Sequence, residues 1–188
     1  DTKGVYDFDL SASTYNYLQD IMLNPYTVSA TGVGYSANGK VTRNDGTNWQ
    51  NVDAKGIWRP LGYEGPQEIS FGLHGDRYRF ENPVFASSVW NATSSIGTGQ
   101  LYSEGLGETR TGALWLQDAW KIVPNLKLTL GGRLETRRAQ DGFNLNTAAT
   151  SAGVITSTAT INQPSLAATN FSPKASLSYD VNKDWNIT

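Results

Sequence analysis

Cysteine is missing from all 188 residues, which excludes a disulfide-stapled secreted domain and any thiolate metal site. Histidine occurs once, as His74, so paired-histidine metal signatures such as H-E-x-x-H cannot form. No G-x-S-x-G elbow and no phosphate-cradling glycine loop is written anywhere. Asn44-Asp45-Gly46 lacks the ligand spacing of a calcium loop and reads as a turn. The sequence therefore gives no ground for an enzyme, a metal site or a cofactor. Charge is sparse as well: 17% of residues against about 25% in average soluble domains. With a net charge of −2 and no Lys/Arg cluster, nothing suits the chain to nucleic acid. No run of about 18 apolar residues occurs, which excludes a transmembrane helix, and no segment sustains a 3.6-residue period.

What is present favours strands and turns. Aromatic residues reach 11% and glycines number 19. Between Thr109 and Arg138 lies a long hairpin turning at Val123-Pro124-Asn125. After the turn, one parity reads Leu126, Leu128, Leu130, Gly132, Leu134, and the other reads Lys127, Thr129, Gly131, Arg133, Glu135, Arg137. Alternate side chains point to opposite faces, so one face is aliphatic and the other charged. Such a ladder outruns an ordinary strand of about five or six residues and suits a tilted strand crossing a bilayer, which needs roughly 9–11.

Seven segments alternate in this way: Tyr6–Tyr17, Trp49–Trp58, Glu68–Phe80, the two arms of the hairpin, Ser172–Val181, and a seventh beginning at Trp185. This predicts an all-β chain. Connections alternate too. Residues 59–67, 123–125 and 182–184 are short, whereas 18–48, 81–108 and 139–171 are long and polar. In an antiparallel up-and-down meander this sorting puts every short turn at one end and every long loop at the other, as in membrane barrels. Tyr6, Trp58, Trp120, Tyr179 and Trp185 all stand near the short-turn end. They suit an aromatic girdle at the membrane surface, or simple cross-strand packing at hairpin ends. One residue resists the pattern. Asp118 shares parity with Leu114, Leu116, Trp120 and Ile122, so either Ala113, Trp115 and Ala119 face outward instead, or a bulge shifts the register.

Two stretches resemble a known family. Gly112-Ala113-Leu114-Trp115-Leu116-Gln117-Asp118-Ala119-Trp120-Lys121-Ile122, then Pro124-Asn125 and the strand through Gly131-Gly132-Arg133-Leu134-Glu135, resembles the barrel of TonB-dependent outer-membrane receptors. Asn170-Phe171-Ser172-Pro173-Lys174 is similar to the opening of that family's following strand. The resemblance implies a bacterial outer-membrane transporter with about 22 strands and a plugged lumen. It also implies a scarce ligand, whether an iron chelate, vitamin B12, haem or a sugar, imported with energy passed through TonB. A ferric chelate of the siderophore type is the expected class because it is common in that family, not because of any residue here. About seven of those strands would be represented here, so residues 1–188 are expected to be part of the barrel. The plug domain and the C-terminal strands are not recognised in this stretch, and its wording reads as cut from a longer chain.

Five residues are candidate ligand contacts. His74 shares the charged parity with Asp76, which fits either a contact with substrate or a satisfied polar residue of the lumen wall. Arg77 and Arg79 are able to attract an anionic chelate, or to form a solvated rim. Trp90 and Tyr102 stand in the long polar connection, suited to stacking on a flat ligand or to packing the loop on itself. Two further readings stay open: a soluble β-sandwich or lectin-like binding module, and an adhesive surface barrel without transport.

Overall fold

The computed structural model describes residues 4–27, 34–92, 99–150 and 154–188. All of its strands belong to one antiparallel sheet. They are β1 (Tyr6–Asn16), β2 (Ile21–Pro25), β3 (Gly39–Arg43), β4 (Asn48–Trp58), β5 (Gln67–Ser87), β6 (Leu101–Val123), β7 (Leu126–Ala149), β8 (Ile155–Asn162), β9 (Leu166–Asp180) and β10 (Asn186–Ile187). The sheet order is β1-β4-β5-β6-β7-β9-β10, a meander of the seven expected strands. The short β2–β3 hairpin joins through β3 to the far end of β5, and β8 pairs with the far end of β7.

The long connections differ from their expected form. Residues 81–87, 101–108 and 139–149 continue β5, β6 and β7, and β6 and β7 reach 23 and 24 residues. The reason is physical. Backbone pairing continues past the apolar band, but beyond it neither face must be apolar, so the sequence alternation that marks a strand disappears.

Register settles which side chains share a face. Leu10, Ala54, Leu73, Leu114, Leu134 and Phe171 stand on one row across six strands. The row beneath holds Phe8, Gly56, Phe71, Leu116, Gly132 and Pro173. Phe71 lies over Gly56, and Phe171 lies over Gly132, where a Cβ would meet the ring at 2.5 and 2.8 Å. Each aromatic covers the gap a cross-strand glycine leaves. No second layer covers this face among the described residues: Leu10 is 76% exposed and Leu73 62%. A sandwich buries its inner faces against a second sheet, so the soluble β-sandwich expectation is corrected. The structure is one open layer whose apolar face is bare.

Asp118 stays on that apolar face, opposite Ile69 and Leu130, with no register shift between Glu108 and Lys121. The alternative in which Trp115 faces outward is thereby excluded. Trp115 instead lies over Gly72 on the charged face. The Asp118 carboxylate accepts a 2.8 Å hydrogen bond from Gln67 Nε2. Trp120 is opposite Gln67 on the same face, so the charge sits at the level of the aromatic residues. Tyr6 and Trp58 stack there with ring centroids 6.3 Å apart, and Trp120, Tyr179 and Trp185 are exposed. The tyrosine and tryptophan thus pair across strands and face outward at once.

Candidate functional site: the charged wall and its upper aromatic cluster

The opposite face is built by the intervening residues of the same strands. At its lower end Arg59, just after β4, donates to Asp7 at 2.5 Å, to Glu68 at 3.0 Å and to the Gly4 carbonyl at 2.9 Å. One buried guanidinium thus clips the start of β1 to the β4–β5 turn. Across β7, Glu135 accepts from Arg133 at 2.8 Å and from Arg137 at 3.0 Å. Lys174 of β9 donates to Gln117 of β6 at 2.8 Å. Long side chains on a lumen wall have no apolar core to enter, so they satisfy one another along the strand.

His74 lies in the middle of this wall. Its Nδ1 is 2.7 Å from Asp53 Oδ1, and its Nε2 is 3.3 Å from Asp76 Oδ2. Asp53 also accepts from Asn51 at 3.0 Å, and Asn51 accepts from Ser13 at 2.8 Å. Both imidazole nitrogens are therefore occupied. The side chain locks three strands together by a continuous polar chain.

Further up the same face, the alternation brings four aromatic side chains together. Tyr15 stacks on Trp49 at 4.6 Å, and Tyr17 meets Tyr15 edge-on at 5.5 Å. Tyr78 lies 6.3 Å from Trp49. Tyr15, Trp49 and Tyr78 are ladder partners on β1, β4 and β5, and each remains exposed. Beside Tyr78 a hollow of about 480 Å³ runs along Phe80, Thr109, Ala139, Gln163 and Leu166. Flat aromatic faces, a mostly apolar hollow and a polar floor form a surface able to hold a mixed polar and aromatic small molecule.

The other four expected contacts lie elsewhere. Arg77 and Arg79 share parity with Leu73 and so lie on the apolar side of the sheet, above the band. Trp90 Nε1 donates to the Ser36 carbonyl at 2.8 Å, and its ring meets Tyr35 edge-on. Tyr102 packs against Tyr26 at 6.1 Å, with Lys40 Nζ 3.9 Å from its ring centroid. Trp90 ties two connecting segments together, and Tyr102 packs the upper end of β6 against β3 and the residue after β2. Sequence reading passed over the Tyr15–Tyr17–Trp49–Tyr78 cluster. Its signal was available only as parity shared with Ser13, Asn51 and Asp76, and it needed the register to become a site.

A single-layer meander with one bare apolar face and one ion-paired face is the wall of a transmembrane β-barrel. The chain matches the family described as TonB dependent receptor-like, beta-barrel, over residues 1–188. It belongs to that family, whose members are outer-membrane transporters. Membership implies a plug domain, TonB and a ligand as general partners. No curated protein and no solved structure matches the chain.

Proposed function

We propose that this chain forms part of the barrel of a bacterial outer-membrane transporter that takes up a scarce nutrient, with a ferric siderophore as the substrate class. The observation carrying this reading is the aromatic cluster of Tyr15, Tyr17, Trp49 and Tyr78 beside the hollow at Phe80. It faces the side where a barrel encloses its lumen. Aromatic and catecholate or hydroxamate chelates offer flat, polar-edged surfaces that stack on such rings. His74 forms the polar floor below the cluster, held by Asp53 and Asp76. The plug domain and TonB would supply the gate and the energy.

The receptor expressed from its complete reading frame tests this. Ferric-chelate uptake is expected to require TonB, and the double variant Tyr15→Ala/Trp49→Ala is expected to weaken chelate binding about tenfold, the worth of about one stacked aromatic pair. Wild-type binding by that variant across a panel of ferric chelates would remove the cluster from the ligand path. TonB-independent surface attachment without uptake would instead favour the adhesive barrel.

A further inference from the structure

The outward face carries a feature that transport of a ligand through the lumen does not use. Directly above the apolar rows, Gln50, Arg77, Arg110 and Arg138 stand opposite one another on β4 to β7. Their parity is that of Leu73, Leu114 and Leu134, so the guanidinium groups lie on the same side as the bare apolar face. Arg77 lies ten residues above Gln67 along β5. Ten residues at about 3.3 Å each, tilted by about 40°, climb about 25 Å, the height of the apolar band of a membrane barrel. The arginines therefore come level with the far lipid surface.

One carboxylate serves two of them. Glu108, buried, accepts from Arg77 Nε and Nη2 at 2.9 and 2.6 Å and from Arg110 Nε at 2.5 Å. Within the described residues no ion pair involves Arg138, which is exposed. The row thus holds three guanidinium groups, and the one carboxylate that two of them share reaches them from the next row up, where Glu108 stands opposite Arg79. One step higher, Arg79 pairs with Glu81 at 3.1 Å, and Asp141 borders the next hollow.

Immediately below the arginines, the row Val52, Gly75, Gly112, Thr136 contains two glycines with open space where a Cβ would be. Together with the arginines they border an open hollow of about 520 Å³. A cationic rim above a shallow apolar recess, at the height where headgroup meets acyl chain, has a defined complement. We propose that this outward arginine row, with the glycine hollow beneath it, binds the phosphate-bearing headgroup and upper acyl chain of an anionic membrane lipid. The inference rests on the barrel reading. Glu108 orients Arg77 and Arg110 along the row, while the remaining N–H donors and the whole of Arg138 face the phosphate oxygens.

The test uses the full-length receptor in phosphatidylcholine nanodiscs, with and without phosphatidic acid, and counts retained lipid by native mass spectrometry. Phosphatidic acid is expected to be retained over phosphatidylcholine. Arg110→Gln/Arg138→Gln is expected to lower that retention about tenfold, the worth of about one lost charge-assisted hydrogen bond. The Lys pair at the same positions should keep part of it, and Gly75→Leu/Gly112→Leu should lower it by filling the recess. Lys127→Gln, on the lumen face, should leave it unchanged. Retention unaffected by the Gln pair overturns the inference while leaving the transporter reading intact. Displacement of the lipid by an equal concentration of inorganic phosphate also overturns it, in favour of a free-anion site. A receptor that does not insert in the nanodisc at all sinks both.

Discussion

Glu108 is the residue on which the upper outer rim turns. Buried and holding Arg77 and Arg110, its carboxyl is pulled below the usual carboxylate range, first by the hydrogen bonds from Arg77 and then by those from Arg110, against the opposing effect of burial. Gln140 also reaches it, at 3.4 Å. A carboxylate whose folded pKa is lowered contributes stability that is complete above its unfolded pKa, near about 4.3. That contribution is lost as pH falls from there through the lowered folded value. The barrel's unfolding midpoint is therefore expected to drop on acidification below about pH 4.3. Glu108→Gln should flatten that acid limb while lowering the midpoint at neutral pH. Tryptophan-fluorescence melts across pH would show it, and an unchanged acid limb in Glu108→Gln would assign the effect to other carboxylates.

His74 teaches a different lesson at the same scale. Its parity was legible in the sequence, and with it the side of the sheet it faces. Its partners Asp53 and Asp76 became visible only through the β4–β5 register. Arg77 and Arg79 continue the apolar parity of Ile69, Phe71 and Leu73 beyond Gly75, which is legible in the sequence. The unbroken pairing of β5 from Gln67 to Val84 puts them outward.

At the scale of the element, each spanning strand carries a depth code. On β6, Leu116 stands mid-band and Asp118 stands one step from the girdle residue Trp120. A basic side chain facing lipid costs about 2–4 kcal/mol at mid-depth and about 0–1 near the surface. Leu116→Arg is expected to destabilise the barrel by about 2–4 kcal/mol and Asp118→Arg by no more than about 1. Reversible urea unfolding in lipid, read by gel mobility of folded and unfolded forms, measures both. Equal costs at the two sites would mean that the face does not meet lipid. The same depth argument explains how an aspartate is tolerated on an apolar face. Gln67 satisfies one oxygen, and the other, buried without a partner among the described residues, lies at the level of the aromatic residues, where a charge costs least.

The upper halves of β5, β6 and β7 were the least legible elements. Period-two hydrophobicity identifies a strand only where one face is apolar. Val84, Phe85 and Leu101 lie in paired strand, yet Pro83, Glu104 and Gly105 around them break any alternation. Polar composition there reports water on both sides, which a loop and a two-sided wet strand share.

For the whole molecule, the decisive property is the bare face. Phe8, Leu10, Leu73, Leu114, Leu116 and Phe171 are all more than half exposed, a continuous apolar surface far beyond what soluble monomers tolerate. β1 and β10 end the sheet path, and an open strand edge is a template for pairing. Residues 1–188 by themselves are therefore expected to associate in plain buffer and to become monodisperse only with detergent or lipid. Size-exclusion chromatography with light scattering decides it. A monodisperse monomer in buffer with a cooperative melt would contradict a lipid-facing wall.

The sequence by itself determined the strand class, the seven-strand meander and the two-faced character of each spanning segment. Those follow from a period of two and from turn residues, which are local properties. The tertiary structure decided which residues stand side by side. Only the register placed Asp118 with Gln67 and gathered Tyr15, Trp49 and Tyr78. Only the register set Arg77, Arg110 and Arg138 in one row over two glycines. A one-residue slip would have sent each of them to the other face, because pairing between distant strands is fixed by the whole sheet and not by any stretch within it.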